Sequence, residues 1–512
     1  MGHSRTLSVS LAGLEGTLVE VEADVSSGLP SFSLVGLPDS STLQARERVR
    51  AAAARSGVHL AQRRITVNLS PAWQPKRGSG FDLAIALAIV DAQGDLPTPL
   101  PEGLVLLGEL GLDGALHPVP GVLPALLTAR DHGARRAVVP EQNLAEAQLV
   151  EGIEVGGATD LAALLRRVGA DVAPRPRRPR PALSAPSPPR SAPAPRADFA
   201  DVIGQAQSRR AAEVAAAGAH HLLLIGPPGA GKTMIASRLP GVLPDLGIED
   251  SLALSAIRSV DGSFDARAGL LRAPPFENPH HTASAAAVVG GGPGLARPGA
   301  ISRAHAGVLF LDEAPEFPAR VLEALREPLE TGDITLHRTR GVTRYPARFQ
   351  LVLAANPCPC GNAWGRGADC RCTPMQRRRY LARLSGPVLD RVDMRVPVGP
   401  VDLRREAGET GECSAVIAAR VRTARRRQEH RYAGRGWSTN AQVPGALLRR
   451  EFAPAPEERR LLDHAVAQGR LTLRGHDRVL RLAWTLADLD GADRPGAQHI
   501  GQALTLREGE LR

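Results

Sequence analysis

The sequence predicts a multidomain chain of mixed α/β and α+β type. It should hold an α+β amino-terminal domain, an α/β core around a phosphate-binding loop, and a helical carboxy-terminal domain. Three observations carry this. The apolar run Leu222-Leu223-Leu224-Ile225 enters a Gly-rich loop ending in Lys232-Thr233, the strand–loop–helix arrangement of a nucleotide site. The stretch from Pro174 to Arg196 holds nine prolines, six arginines and no acid, a composition that cannot build a core. Beyond Ser414, apolar residues recur at helical spacing. These features divide the 512 residues into domains at 1–171, 198–400 and 401–512, with a linker at 172–197.

The amino-terminal third alternates short strands and helices. Leu7, Val9 and Leu11 alternate with serines, as in a strand, and 18–25 alternates apolar with acidic residues. An Ala/Arg-rich helix is expected over 41–56, a strand over 65–69 and an apolar helix over 81–90. Residues 105–111 and 115–119 flank Asp113-Gly114, a hairpin signal. A helix over 122–132 and a strand over 137–140 close the pattern.

Net charge is +10, but 174–196 carries +6 of it, leaving +4 elsewhere (10 − 6). The basic balance is therefore weak support for nucleic-acid binding. The segment reads as a mobile tether, with a DNA-touching arm as the alternative. No uncharged apolar run reaches the length of a membrane span, and the chain start lacks a basic-then-apolar leader. Met1 to Thr6 matches the short myristoylation pattern, too small a motif to outweigh a first strand. A soluble, cytoplasmic protein with no membrane partner is expected.

The nucleotide machinery lies between 198 and 400. Gly226, Pro227, Pro228, Gly229, Ala230, Gly231, Lys232 and Thr233 fit G-x-x-x-x-G-K-[ST]. Glycines let successive N–H groups face a phosphate chain. Lys232 would reach the β- and γ-phosphates of ATP, and Thr233 would ligate magnesium. A second apolar strand, 308–311, ends in Asp312-Glu313. Asp312 would hold the magnesium and Glu313 would polarise the attacking water. A third strand, 349–355, ends in Asn356, whose amide can orient that water. A basic turn at 337–341 reads as an arginine-tipped hairpin. In the Gly/Ala/His-rich insertion 279–298, His280-His281 lacks a second ligand set and reads as structural. Arg391 falls beyond the sheet, where an arginine finger serves a neighbouring subunit. A salt bridge to Asp390 or Asp393 is the alternative.

Cys358, Cys360, Cys370 and Cys372 form C-x-C-x9-C-x-C, able to close a tetrahedral zinc site, with free thiols or a redox pair as alternatives. Cys413 stands apart. Arg377 to Arg379 is either a solvated face or a DNA contact. Helices are expected over 414–428, 456–467, 473–489 and 496–506. Arg474, Arg478 and Arg481 share one face of the third.

Two stretches, PKRGSGFDLAIALAI (75–89) and 108–140, resemble the proteolytic domain of Lon-type proteases. Those enzymes use a Ser-Lys pair. Gly80 stands at the nucleophile position here and Leu123 at the lysine position, and Ser79 is one residue out of register. Without hydroxyl and amine there is no acyl transfer. GPPGAGKT, GVLFLDE, AANPCPCG and LSGPVLDRVD resemble the magnesium-chelatase-like AAA+ ATPases, YifB/ComM branch. The resemblance implies a homo-hexameric ring and a DNA helicase driving branch migration on single-stranded or branched DNA. It makes Asn356 sensor 1, Arg391 the trans finger and Arg474 sensor 2, with Arg478 and Arg481 as rivals. The other readings are a chelatase-type motor for metal insertion into a tetrapyrrole, or a protein-remodelling ATPase.

Overall fold

The computed structural model describes residues 2–76, 78–173, 197–292, 296–338, 341–365, 367–384, 386–401 and 411–509. The Pro/Arg-rich segment 174–196 and the tip of the basic turn, 339–340, lie outside the described residues.

In the amino-terminal part, β1 (Gly2–Ala12) and β2 (Glu15–Ser26) form a long antiparallel hairpin, with Gly2 opposite Val25 and Ala12 opposite Glu15. β3 (Ser31–Val35), α1 (Ser40–Leu43) and α2 (Ala45–Arg55) follow. The single helix expected over 41–56 is two. Asp39 accepts the Thr42 N–H, and the Thr42 hydroxyl donates to Gly78 O at 2.9 Å, so the first turn is pinned to a neighbouring loop. β4 (Arg64–Ser70) precedes α3 (Asp82–Gln93), which is apolar on all sides and therefore central; 82–90 and Ala92 are all buried. Then come β5 (Leu104–Leu106), a small hairpin β6 (Glu109–Leu110) and β7 (Leu116–His117), and α4 (Val122–Asp131). β8 (Arg136–Pro140), α5 (Leu144–Ala147), β9 (Glu154–Ala158) and α6 (Leu161–Arg167) complete the domain. The sheet order is β3-β4-β2-β1-β5-β8-β9. β3 and β9 escape sequence reading because SFSLV and EVGGA are only five residues long, and EVGGA also carries two glycines; pairing to β4 and β8 makes them strands.

The central part begins with α7 (Ala206–Gly218), β10 (Leu222–Ile225), α8 (Lys232–Arg238) and α9 (Ile248–Asp261). β11 (Phe276–Glu277), α10 (Ala285–Val289), β12 (Gly290–Gly291), β13 (Arg297–Pro298) and α11 (Ala300–Arg303) follow. After β14 (Val308–Leu311) come α12 (Ala319–Ala324), α13 (Arg326–Thr331) and the antiparallel pair β15 (Asp333–Arg338) and β16 (Gly341–Pro346). β17 (Gln350–Ala355), α14 (Pro374–Ala382), α15 (Gly386–Leu389) and β18 (Met394–Pro397) end this part. β11-β14-β17-β10-β18 is a wholly parallel sheet. Every residue of β10, β14 and β17 is buried, as continuous apolar runs in a doubly covered parallel sheet must be. The carboxy-terminal part is helical: α16 (Ser414–Arg431), α17 (Gly445–Leu448), α18 (Arg460–Ala467), α19 (Leu473–Leu489) and α20 (Ala497–Glu508). Leu222, Leu224, Val479 and Trp484 belong to one apolar cluster, so these helices share a core with one face of the parallel sheet.

The amino-terminal part is docked on the central part through α4 and α9. Gly121 N–H donates to Ser259 O at 3.2 Å, and the Ser259 hydroxyl donates to the Glu146 carboxylate. Glu146 also accepts the Leu123 N–H at 2.9 Å. Among the described residues, no helix is long and apolar enough to cross a membrane.

Candidate nucleotide site

β10, β14 and β17 lie side by side and deliver their carboxyl ends to one edge of the sheet, where an α/β sheet places ligands. β10 supplies the Gly-rich loop. Gly231 has φ +89°, a left-handed conformation that other residues adopt at a cost. A Cβ on Gly226 would fall 2.0 Å from Val398 O, so only glycine lets the loop pass this close to the main chain just beyond β18. Residues 228–233 with Asp312, Glu313 and Asn356 line a cleft of about 370 Å3.

The side chains inside it are bound to one another. Lys232 Nζ donates to Gly226 O at 2.7 Å, Pro227 O at 2.9 Å and Asn356 Oδ1 at 3.0 Å. Burial lowers the Lys232 pKa, and the charges of Asp312 and Glu313 partly offset that. The Thr233 hydroxyl donates to Asp312 Oδ2 at 2.7 Å, and Asp312 Oδ1 accepts the Glu313 N–H at 2.9 Å. A hydroxyl and a carboxylate in contact beside an ammonium are the donor set for magnesium and a polyphosphate. The residues fit both groups.

Glu313 stands at φ +50°, uncommon for a non-glycine residue. Its Oε2 is 3.1 Å from His281 Nδ1. His281 therefore touches the site, although nothing in its sequence context places it there. It follows β11, and β11 pairs with β14, the strand ending at Asp312. Adjacency of two strand ends was the missing signal.

Arg391 and Arg474 do not line the cleft. The Arg391 guanidinium pairs with Glu330 of α13 and donates to Pro387 O at 2.6 Å. Neither Asp390 nor Asp393 is its partner: Asp393 is engaged by Arg478, and Asp390 lies 3.7 Å from Arg474. Burial lowers the Arg391 pKa, and the nearby charges of Arg326, Arg474 and Arg478 add to the effect. Arg474 is exposed; Arg478 and Arg481 are turned inward, and Arg481 donates to Val443 O at 2.8 Å. The three arginines that share a face in the sequence have separate surroundings.

The cysteine loop abuts the site. Cys358 Sγ is 3.4 Å from Cys360 Sγ and 3.6 Å from Cys370 Sγ, and Cys360 and Cys370 are 3.7 Å apart. All four ligand atoms, with that of Cys372, lie within 4.8 Å of one another. A tetrahedral zinc with Zn–S of about 2.3 Å has S···S edges of about 3.8 Å, so the cluster fits the ion. A Cβ on Gly361 would sit 2.5 Å from Pro228 Cδ, which shows how closely this loop packs on the phosphate loop.

In the amino-terminal domain, the Ser79 hydroxyl donates to Glu109, and Lys76 Nζ, fully buried, donates to Pro71 O. Arg378 and Arg379 are exposed on α14. Cys413 is exposed ahead of α16, away from the other four.

Three family profiles match the chain in order. "Subunit ChlI of Mg-chelatase" covers 21–143, "Magnesium chelatase, subunit ChlI" covers 198–405, and "Magnesium chelatase, subunit ChlI C-terminal" covers 411–507. An uncharacterized protein of Mycobacterium tuberculosis is 50% identical over 510 residues, covering 99% of each chain. The uncharacterized protein YifB of Escherichia coli is 42% identical over 498 residues, covering 97% of this chain and 95% of its own. The competence protein ComM of Haemophilus influenzae is 38% identical over 499 residues, with the same coverage. Profiles that follow one another along the chain, relatives matched end to end, and a nucleotide cleft at the carboxyl edge of the parallel sheet lead to one conclusion: the chain belongs to the YifB/ComM family of magnesium-chelatase-like AAA+ ATPases.

Proposed function

We propose that this protein is a ring-forming, ATP-hydrolysing motor that moves DNA strands, a branch-migration helicase of the ComM type. One observation carries the subunit arrangement. Among the described residues, the cleft holds an ammonium, a hydroxyl, two carboxylates and an amide but no arginine, while Arg391 and Arg474 lie near each other elsewhere. A transition state that spreads charge over the γ-phosphoryl oxygens needs such a cation, and a second copy can bring it. The homo-hexamer is the ring that the family resemblance implies for such copies.

Lys232 would exchange its loop carbonyls for the β- and γ-phosphates. Thr233 and Asp312 would hold magnesium, which neutralises phosphate charge when bound. Glu313 takes the proton of the attacking water and Asn356 orients that water. Arg391 of the adjoining copy stabilises the developing charge. Arg474, beside Asp390, belongs to the same face and joins Arg391 there, rather than reading the nucleotide of its own subunit. The amino-terminal domain, read as Lon-like without its Ser-Lys pair, is a binding or assembly surface. The helices beyond Ser414 form the lid, and the four cysteines hold a structural zinc that braces Asn356.

ComM is named as a competence protein, which favours DNA as the substrate. The chelatase-type motor is the second reading, favoured by the descriptions of all three matching profiles. ATPase assays across single-stranded, duplex and branched DNA separate them. DNA-stimulated turnover with movement of a four-way junction supports the first. Turnover that responds to a tetrapyrrole and partner subunits, and not to DNA, overturns it.

A further inference from the structure

Three successive carbonyls at the finger segment are held from the carboxy-terminal helices. Arg478 of α19 donates to Arg391 O at 3.0 Å and pairs with the Asp393 carboxylate. Arg507 of α20 donates to Val392 O, and the same nitrogen lies 3.4 Å from Asp393 O. Asp393 is 2% exposed, and its second oxygen accepts the His221 N–H at 2.9 Å, directly ahead of β10. Burying guanidinium groups against main chain is costly unless each finds partners. Burial pushes Arg507 down to about 10. The Arg391 side chain stands outside this clamp, on Glu330, which is largely exposed, and on Pro387 O. The main chain is thus fixed while the guanidinium keeps a partner it can exchange.

We propose that Arg478 and Arg507 are positioning residues for Arg391: they lock the finger's main chain to α19 and α20, so that its guanidinium meets the neighbouring subunit's nucleotide in register. This rests on the reading of Arg391 as a trans group. A finger acts by placement, and a shift of about 1 Å can cost up to about 10²-fold in rate. The clamp also makes the finger travel with the carboxy-terminal helices, so a movement of those helices in one subunit is felt at the active site of the next. Arg478 and Arg481, rivals for reading nucleotide by sequence position alone, are held by protein groups.

The test is a double-mutant cycle in the full chain, reading ATP turnover, the KM for ATP and Tm. Arg507→Met removes the donor to Val392 O, and Arg478→Lys keeps a cation opposite Asp393 but on a shorter stem without the planar guanidinium, whose one nitrogen serves both Arg391 O and Asp393. Each should lower kcat by about tenfold with KM unchanged. In an Arg391→Ala background neither should lower it further, because the group they position is gone. Arg507→Lys, with a shorter donor, should restore part of the rate. The same fold loss with and without Arg391, or no loss from either variant, overturns the proposal. A fall in Tm that accounts for the lost rate marks the arginines as structural only, and also overturns it. If Arg391→Ala alone leaves kcat intact, the trans reading itself fails and takes the clamp with it.

Discussion

Glu313 and Asp312 are neighbours with different surroundings, and this separates their tasks. Asp312 accepts from Thr233 and from the Glu313 N–H, so it is committed to the loop. Glu313 is half exposed, with His281 beside one oxygen. Glu313→Gln keeps the shape and loses the proton acceptor. Turnover should fall by about 10²- to 10⁴-fold with nucleotide binding retained; full turnover in steady-state assays would remove Glu313 from the mechanism. Arg391→Ala should cost about 10³-fold in kcat and leave ATP binding intact, measured by titration of a fluorescent nucleotide. Weakened binding instead would give Arg391 a role in its own subunit. At this scale the sequence is most legible where chemistry demands a fixed spacing, as in 226–233. His281 and Glu330 were hidden because each meets its partner only across strands or helices distant in sequence.

Among the elements, α3 and the parallel strands were readable because total burial leaves uninterrupted apolar runs, whereas β3 and β9 borrow their structure from their neighbours. The cysteine loop lies between these cases. Its spacing suggests a metal, but contact with the phosphate loop appears only in the fold. Gly361 has φ +80° and faces Pro228 with no room for a side chain. Gly361→Val should therefore push the loop from the phosphate cradle and weaken ATP binding by about tenfold, the effect of roughly 1.4 kcal/mol. Unchanged affinity would show the two loops to be independent. Zinc carries a linked expectation: elemental analysis should find one ion per chain. Chelation should lower Tm and turnover together, since a closed four-thiolate site contributes to folding directly. Four titratable thiols in a metal-free protein of unaltered Tm would reject the site.

Across the whole molecule, the amino-terminal domain sits on α9 through a buried carboxylate, an arrangement that domain-wise reading of the sequence does not reveal. Glu146 comes from the amino-terminal part and Ser259 from the central part, with the Pro/Arg-rich segment between them in the chain. Burial raises the Glu146 pKa above its ordinary 4.5, against the lowering effect of the bonds from Ser259, Leu123 and Asn143. A carboxyl whose pKa is higher when folded binds more protons in that state. Its favourable term is complete below the unfolded value and disappears as pH rises through the folded value. The folded chain should therefore gain stability as pH falls towards the ordinary carboxylate range, and Glu146→Gln should remove that component. Hydrogen exchange of α4 and α9 at pH 7 and pH 5 measures it directly. Protection that rises on acidification in the parent chain, and changes less in Glu146→Gln, is the expected outcome. Equal pH dependence in both proteins would show that the Glu146 carboxyl does not govern how the domain is held.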